Sequence, residues 1–417
     1  MLIDVAPAPT LTEKRHRTIV RMRKRYEEEL FNQVLPFWET HSPDPTHGGY
    51  YNCLSRNGEV YDTTKYSWLQ GRQAWMFSTL YRMVDPRDEW LAGARSGVDF
   101  LKEHAQRPTN QVFFSLTEAG EPIYQQRKIF SECFYVMALA GYAHATGDDR
   151  LLDEARTMLA HVWSWADDPE AVGRPVHSGQ PEAQSLAVPM ILLNLIEVVT
   201  DGAVEPYGAE IDACLDRIQQ HIHADTQHVY ENVRPDGSRL PGTDGRLLNP
   251  GHAIEAGWFM QHWFQRLDRP NLQETARNVV RWSFDTGWDD EHGGLFYFLD
   301  AEGRTPVQLE WFMKLWWPHC EALYAHLLNY ALTREEDDWA AFKQVDTYTF
   351  DHFPDPRHGG WYGYLDREGR VTHSFKGAPY KGCFHVPRAL WLCWRLLRRL
   401  EAAEVKDDRS LPDSSSL

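Results

Sequence analysis

Long apolar runs are missing from this sequence. No stretch reaches the ~18 apolar residues that a membrane-spanning helix needs. The N-terminus MLIDVAPAPT has neither the charged start nor the apolar run of a secretion signal. Cysteine is scarce: six residues, at 53, 133, 214, 320, 383 and 393, with no CxxC pair. That argues against a disulfide framework and fits reduced thiols in a cytoplasmic protein. Positive charge is outnumbered, with 43 Lys and Arg against 60 Asp and Glu and a net charge of −17. Such a balance disfavours nucleic acid or an anionic membrane as partner. There is no GxxxxGKS phosphate loop, no GxGxxG after a strand, no GxSxG elbow and no HExxH. Cys383 and His385 alone make a weak ligand set, so no metal site is expected.

What is present is a repeat. DPTHGGYYNCLSRNG (44–58), DDEHGGLFYFLDAEG (289–303) and DPRHGGWYGYLDREG (355–369) carry Asp, His, Gly and Gly at the same offsets, then aromatics, then a closing Gly. Weaker relatives are NQVFFSLTEAGEP (110–122) and DTQHVYENVRPDG (225–237). A further unit near 163–185 has lost the element and reads DPEAVGRPVHSGQPE, which brings the number to about six. Each copy reads as a short β-hairpin: a turn opened by Asp and Pro, Gly-Gly for positive φ, alternating aromatics, and NG, DG or EG to close. Three histidines at one repeated offset, spread around a ring, do not converge. His47, His292 and His358 are therefore expected to be turn and packing residues.

Between the hairpins lie segments with helical spacing of apolar residues, among them KYSWLQGRQAWMFSTLYRM, IFSECFYVMALAGYAHAT and HVPRALWLCWRLLRRL. Two helices per unit give about twelve. The pattern predicts an all-α fold, an (α/α)6 barrel of about twelve helices with short β-hairpins in its connections. The expected organisation is a flexible start over 1–15, a single catalytic domain over 16–402, and a disordered tail over 403–417.

Two non-repeated segments carry candidate chemistry. In NPGHAIEAGW (249–258) Pro-Gly opens a helix, so His252 sits in its first turn, where the helix dipole keeps the imidazole neutral. Glu255, three residues on, is placed to orient the ring, although a capping histidine beside an exposed Glu reads equally well. In KGCFHVPRAL (381–390) His385 again opens a helix, with Arg388 on the same face. Two further segments place charges among Trp and Leu: Lys65, Trp68 and Arg72 in one, and Glu310, Lys314 and Glu321 in the other, with Pro318 expected to bend the helix. Such charges are costly unless paired or functional, and a buried structural Arg–Glu pair is the plain alternative. A glycosidase would need two carboxylates across a cleft, and the sequence singles out no such pair.

Taken together and in order, WLQGRQAWM, IFSECFY, LAVPMILLNL, NPGHAIEAGWF, GGLFYFLD, QLEWFMKLWWPH, GYLDREG and KGCFHVPRAL resemble the N-acylglucosamine 2-epimerase (renin-binding protein) family, from about residue 25 to about 400. The resemblance implies an isomerase that interconverts N-acetylglucosamine and N-acetylmannosamine. It also implies a cytoplasmic homodimer that takes ATP as an allosteric activator without consuming it. It carries the catalytic pair onto His252 and His385, with Arg72, Glu255, Glu321 and Arg388 in support. Trp68, Lys314, Trp317 and Lys381, in the charged and Trp-rich segments beside them, are expected substrate contacts. The nucleotide-responsive loop would fall on GRPVHSGQPEAQSLAVPM (173–190), which departs most from the family pattern. Neighbouring branches epimerise cellobiose or convert mannose to fructose. The absence of His from Leu186 to Pro189 favours the N-acyl monosaccharide branch. An aldose–ketose isomerase of the mannose/fructose type or a 2-epimerase of unmodified sugars, using the same site, and a non-catalytic interaction protein are the alternatives.

Overall fold

The computed structural model describes residues 11–168, 170–403 and 405–406. The described residues form twelve helices. Helix α1 is a continuous run of Glu13–Glu28, a π-helical segment Glu29–Val34, and Leu35–His41. Pro36 has no N–H to donate, and the helix widens into the π turn just before it. Then follow α2 (Ser67–Met83), α3 (Asp88–Phe100, extended by Leu101–Ala105) and α4 (Phe130–Thr146). Next come α5 (Asp149–Ala166), α6 (Ala187–Thr200), α7 (Gly208–Gln220) and α8 (Pro250–Arg266). The last are α9 (Pro270–Gly287), α10 (Trp316–Thr333), α11 (Glu336–His352) and α12 (His385–Glu401).

Even-numbered helices form the inner ring and are buried on most sides; odd-numbered helices show one buried stripe and cover them. Each inner helix packs on its outer partner and on the next inner helix, and the ring closes where Phe384 meets Trp75 with ring centroids 5.5 Å apart. This is the expected (α/α)6 barrel. All six inner helices start at the same end, so their first turns, and the positive ends of their dipoles, surround one mouth.

The hairpins lie at that mouth. Short strands just before inner helices pair antiparallel with the hairpin of the next unit: Lys65–Tyr66 with Ser115–Leu116, Gln184–Ser185 with Asn232–Val233, and Lys314–Leu315 with Tyr364–Leu365. Helix α10 therefore begins at Trp316, and Lys314 is in a strand, not in the long helix its spacing suggested. Pro318 falls in the first turn, where its missing N–H costs nothing and bends nothing.

The repeat is explained by one buried clamp. Asp44, Asp289 and Asp355 each accept a bond from the backbone N–H two residues on. Each also binds a buried lysine: Lys65 at 2.7 Å, Lys314 at 3.0 Å and Lys376 at 2.9 Å. The same ammonium groups donate to carbonyls of the Gly-Gly pair: Gly48, Gly294 and Gly359. Both glycines have positive φ in all three copies, 62–77°, a region L side chains rarely adopt. Arg56 and Arg367, each two residues before a closing glycine, reach Asp355 and Asp289 of the neighbouring hairpin and chain the rim together. The histidines of the repeat supply turn backbone, but their side chains are exposed or half-exposed and do not pack as expected.

The expected boundary at residue 16 moves outward. Thr12 caps α1 by accepting from the Arg15 N–H, and Leu11–Thr12 pair in parallel with Val405–Lys406. The rest of the expected flexible start and tail, 1–10 and 407–417, lies outside the described residues. The unit at 163–185 lacks a hairpin, as expected; residues 170–183 run as turns and open loop into the strand Gln184–Ser185. All six cysteines are buried and unbridged. Among the described residues, no helix is long and apolar enough to cross a membrane.

Burial works against the Asp289 carboxylate, but Arg367 and Lys314 outweigh it and hold its pKa well below the usual range. A depressed carboxylate stabilises the fold above its unfolded pKa and stops doing so as pH falls through the folded value. Asp289→Ala strands the Lys314 ammonium in the interior and is expected to cost about 3–5 kcal/mol in denaturant unfolding at neutral pH. A loss under about 1 kcal/mol would contradict the clamp.

Candidate active site

The first two turns of the inner helices deliver one cluster of charge to the mouth. In α12, Arg388 is 3% exposed and bridges two carboxylates: its Nη2 lies 2.6 Å from Glu255 of α8 and 2.8 Å from Glu321 of α10. Glu321 is held from all sides. Its Oε2 accepts the Trp258 indole N–H at 3.0 Å, and its Oε1 pairs with His385 Nδ1 at 2.8 Å. A carboxylate can only accept, so Nδ1 of His385 carries the proton and Nε2 is left as the free base. Burial, together with the Arg388 and Arg72 guanidinium groups, pushes the His385 pKa well below its usual value. His385 is a neutral imidazole at neutral pH.

His252 is in the first turn of α8, as its sequence context suggests. The N-cap is Asn249, whose side chain accepts the His252 backbone N–H at 3.2 Å. Its ring partner is not Glu255. Glu231, on the hairpin at 225–237, lies 3.0 Å from Nδ1. Burial pulls the His252 pKa down, but Glu231 and then Glu255 overcome it, so it sits above its usual value. The helix dipole was expected to keep this ring neutral; the bonded carboxylate outweighs a dipole effect of ~1 kcal/mol. The two histidines thus differ in charge preference although both open helices.

Trp317 lies between them, with its ring centroid 5.3 Å from His252 and 5.8 Å from His385. Among the described residues Arg72 in α2 has no hydrogen-bond or ion-pair partner, and its Nε is buried without one. Its guanidinium lies over Phe134 at 4.0 Å and Trp68 at 5.1 Å. Burial lowers the Arg72 pKa to about 9, against Glu255 and Glu321, so it stays charged at neutral pH.

Of the residues singled out from sequence, the structure gathers His252, His385, Arg72, Glu255, Glu321, Arg388, Trp68 and Trp317. It does not bring in Lys314 or Lys381. Lys314 is the ammonium of a rim clamp, and Lys381 is spent on the carbonyls of Trp361 and Lys376 at 2.8 and 2.7 Å. Both are long cations whose burial serves hairpin backbone. Glu231 was missed. Counted back from the closing glycine, the sixth residue is Asn52, Phe114, Glu231, Tyr297 and Gly363 in the five hairpins. A carboxylate where other copies hold uncharged residues was the available signal.

Oxygen and nitrogen atoms of Glu255, Glu321 and His385 lie within 4.8 Å of one another, a spacing that could hold a metal ion. The Arg388 guanidinium already contacts all three, 3.4 Å from His385 Nδ1 and closer to the carboxylates. The cation of this cluster is supplied by the chain.

Residues 49–388 match the N-acylglucosamine 2-epimerase (GlcNAc 2-epimerase) family. The chain belongs to that family. It is 46% identical over 413 residues to the N-acylglucosamine 2-epimerase of Bos taurus, covering 96% of this chain and 98% of the relative. It is 45% identical to that of Homo sapiens, covering 94% of each. The solved cellobiose 2-epimerase of Spirochaeta thermophila superposes with a TM-score of 0.78 at 23% identity, over 92% of this chain and 98% of the other, and shares the fold. Family membership makes the chain an isomerase of the sugar epimerase class.

Glu231→Gln removes the charge that raises His252. Proton NMR titration should find the His252 ring titrating above the usual ~6.5 in the unaltered protein and at lower pH in the variant. An unchanged midpoint would contradict control by Glu231.

Proposed function

We propose that this protein interconverts N-acetylglucosamine and N-acetylmannosamine by moving the C2 proton between His385 and His252. The observation that carries the reading is the pair of histidines flanking Trp317 with opposite charge preferences. Two titrating groups whose surroundings drive their pKa values apart divide naturally into base and acid.

The sugar must first open to its aldehyde, which makes the C2 proton acidic. The neutral Nε2 of His385 takes that proton. The electron pair moves into an enediolate across C1 and C2, and His252, carrying a proton, returns one to C2 from the other face. Protonation on the face opposite to abstraction inverts C2. The unpartnered guanidinium of Arg72 stabilises the developing oxyanion at O1. Arg388 is committed to Glu255 and Glu321; it keeps His385 neutral and fixes the base. Trp317 offers a flat floor on which the open chain lies between the two rings. The reverse reaction exchanges the roles of the histidines.

An aldose–ketose isomerase would use the same enediolate and return the proton to C1; nothing in the geometry favours that outcome. ATP activation through 173–190 and a homodimer belong to the same proposal and are supported by the family relationship alone; a cytoplasmic location is supported by the six unbridged thiols.

The test is proton NMR of the purified protein with N-acetylmannosamine in D2O, with and without ATP. Deuterium at C2 with growth of N-acetylglucosamine is expected, and no interconversion would overturn the reading. His252→Asn and His385→Asn should each slow interconversion at least about a hundredfold, the usual scale of a lost acid or base. For the reaction in which His385 is the base, kcat/KM should fall on the acid side as His385 protonates, below pH ~6.5. It should fall on the alkaline side as His252 loses its proton, above pH ~6.5.

A further inference from the structure

We infer that Phe114, Trp68 and Tyr380 form the subsite for the N-acyl group of the substrate and set the length of acyl chain accepted; this rests on the proposed C2 epimerisation. Trp68 is in the first turn of α2, one turn before Arg72. Phe114 comes from the second hairpin, at the same repeat offset that puts Glu231 against His252. Tyr380 comes from the segment leading into α12. The rings of Phe114 and Tyr380 meet Trp68 edge-on, with centroids 5.1 and 5.3 Å away. The indole N–H of Trp68 is already given to the Pro379 carbonyl at 3.0 Å. Trp68 therefore presents only apolar surface. Phe114 is almost buried at 7% exposure, whereas Tyr380 is 59% exposed.

A C2 acylamino group has two demands. Its amide carbonyl needs a donor, and its alkyl end needs an apolar surface free of competing polar groups. The Arg72 guanidinium supplies donors without a protein partner, and it lies over the Trp68 ring. The three rings supply the apolar surface directly beside it. The wall around His252 cannot serve in this way, because Glu231 and Glu255 flank that ring and an alkyl group there would desolvate a carboxylate. Phe114, packed and nearly buried, forms the blind end, while the exposed Tyr380 forms the outer edge. An acetyl group fits such a notch, and each added methylene is driven against Phe114.

The experiment compares kcat/KM for N-acetyl-, N-propanoyl- and N-butanoylmannosamine. The proteins are the unaltered chain, Phe114→Ala and Tyr380→Ala, each checked for an unchanged melting profile. The unaltered protein should lose activity with each added methylene. Phe114→Ala should shift the butanoyl-to-acetyl ratio upward by roughly tenfold or more, the scale on which a pocket discriminates one or two methylenes. Tyr380→Ala should shift it in the same direction by less, and its exposure keeps the test available where Phe114→Ala does not fold. If the variants change all three substrates by the same factor, the subsite is wrong and the epimerase stands. If the unaltered protein exchanges no C2 proton with any of them, the epimerase reading itself has failed.

Discussion

A lysine ammonium closed in between an aspartate carboxylate and a carbonyl of a left-handed Gly-Gly pair is the constraint from which the mouth of this barrel is built. A buried charge pair is not a cheap source of stability, since desolvation offsets most of its attraction. What it supplies is position. The ammonium can satisfy its donors only if the Gly-Gly turn, the Asp turn and the strand before the next inner helix meet at one point. Arginines from neighbouring hairpins add a second partner to two of these aspartates, Asp289 and Asp355. The rim is thereby tied into a chain, and the first turns of the inner helices, which carry the site, are held in register with it.

Inside that rim, charge is distributed unevenly. Arg388 neutralises Glu255 and Glu321 together, and Glu321 still accepts from Trp258 and His385. The result is a tightly bonded group in which His385 has no reason to be cationic. His252 stands across Trp317 with a carboxylate of its own and no arginine bonded to it. Two identical side chains, at equivalent helix starts and each bonded through Nδ1 to a glutamate, are driven in opposite directions: burial with Arg388 and Arg72 prevails at His385, while Glu231 and Glu255 outweigh burial at His252. In the proposed reaction the Nε2 atoms are the working ends, and Arg72 lies beside Trp68 in the same cluster.

The repeat was legible in the sequence because it consists of backbone demands that few residue types meet: two adjacent glycines at positive φ, and an aspartate to cap the turn. The helix count followed from apolar spacing, and His252 and His385 from the signals that start helices. Contacts that depend on ring closure were not legible. Arg388 and Glu255 are separated by 133 positions, and Glu231 reaches His252 from the hairpin that precedes its helix, 21 positions away. Local spacing offered Glu255 as the partner of His252, three residues away and on the same face. Lys314 and Lys381 looked like site residues because a charge among aromatics reads the same whether it faces substrate or a hairpin carbonyl.

The central claim is that one histidine works on each face of C2. It is tested most directly by following exchange of the C2 proton with solvent deuterium, without turnover, in His252→Asn and His385→Asn. With one base per face, each variant should exchange the C2 proton of one epimer and not the other, and the two variants should have opposite preferences. Loss of exchange with both epimers in one variant, with the other variant active on both, would mean that a single histidine serves both faces.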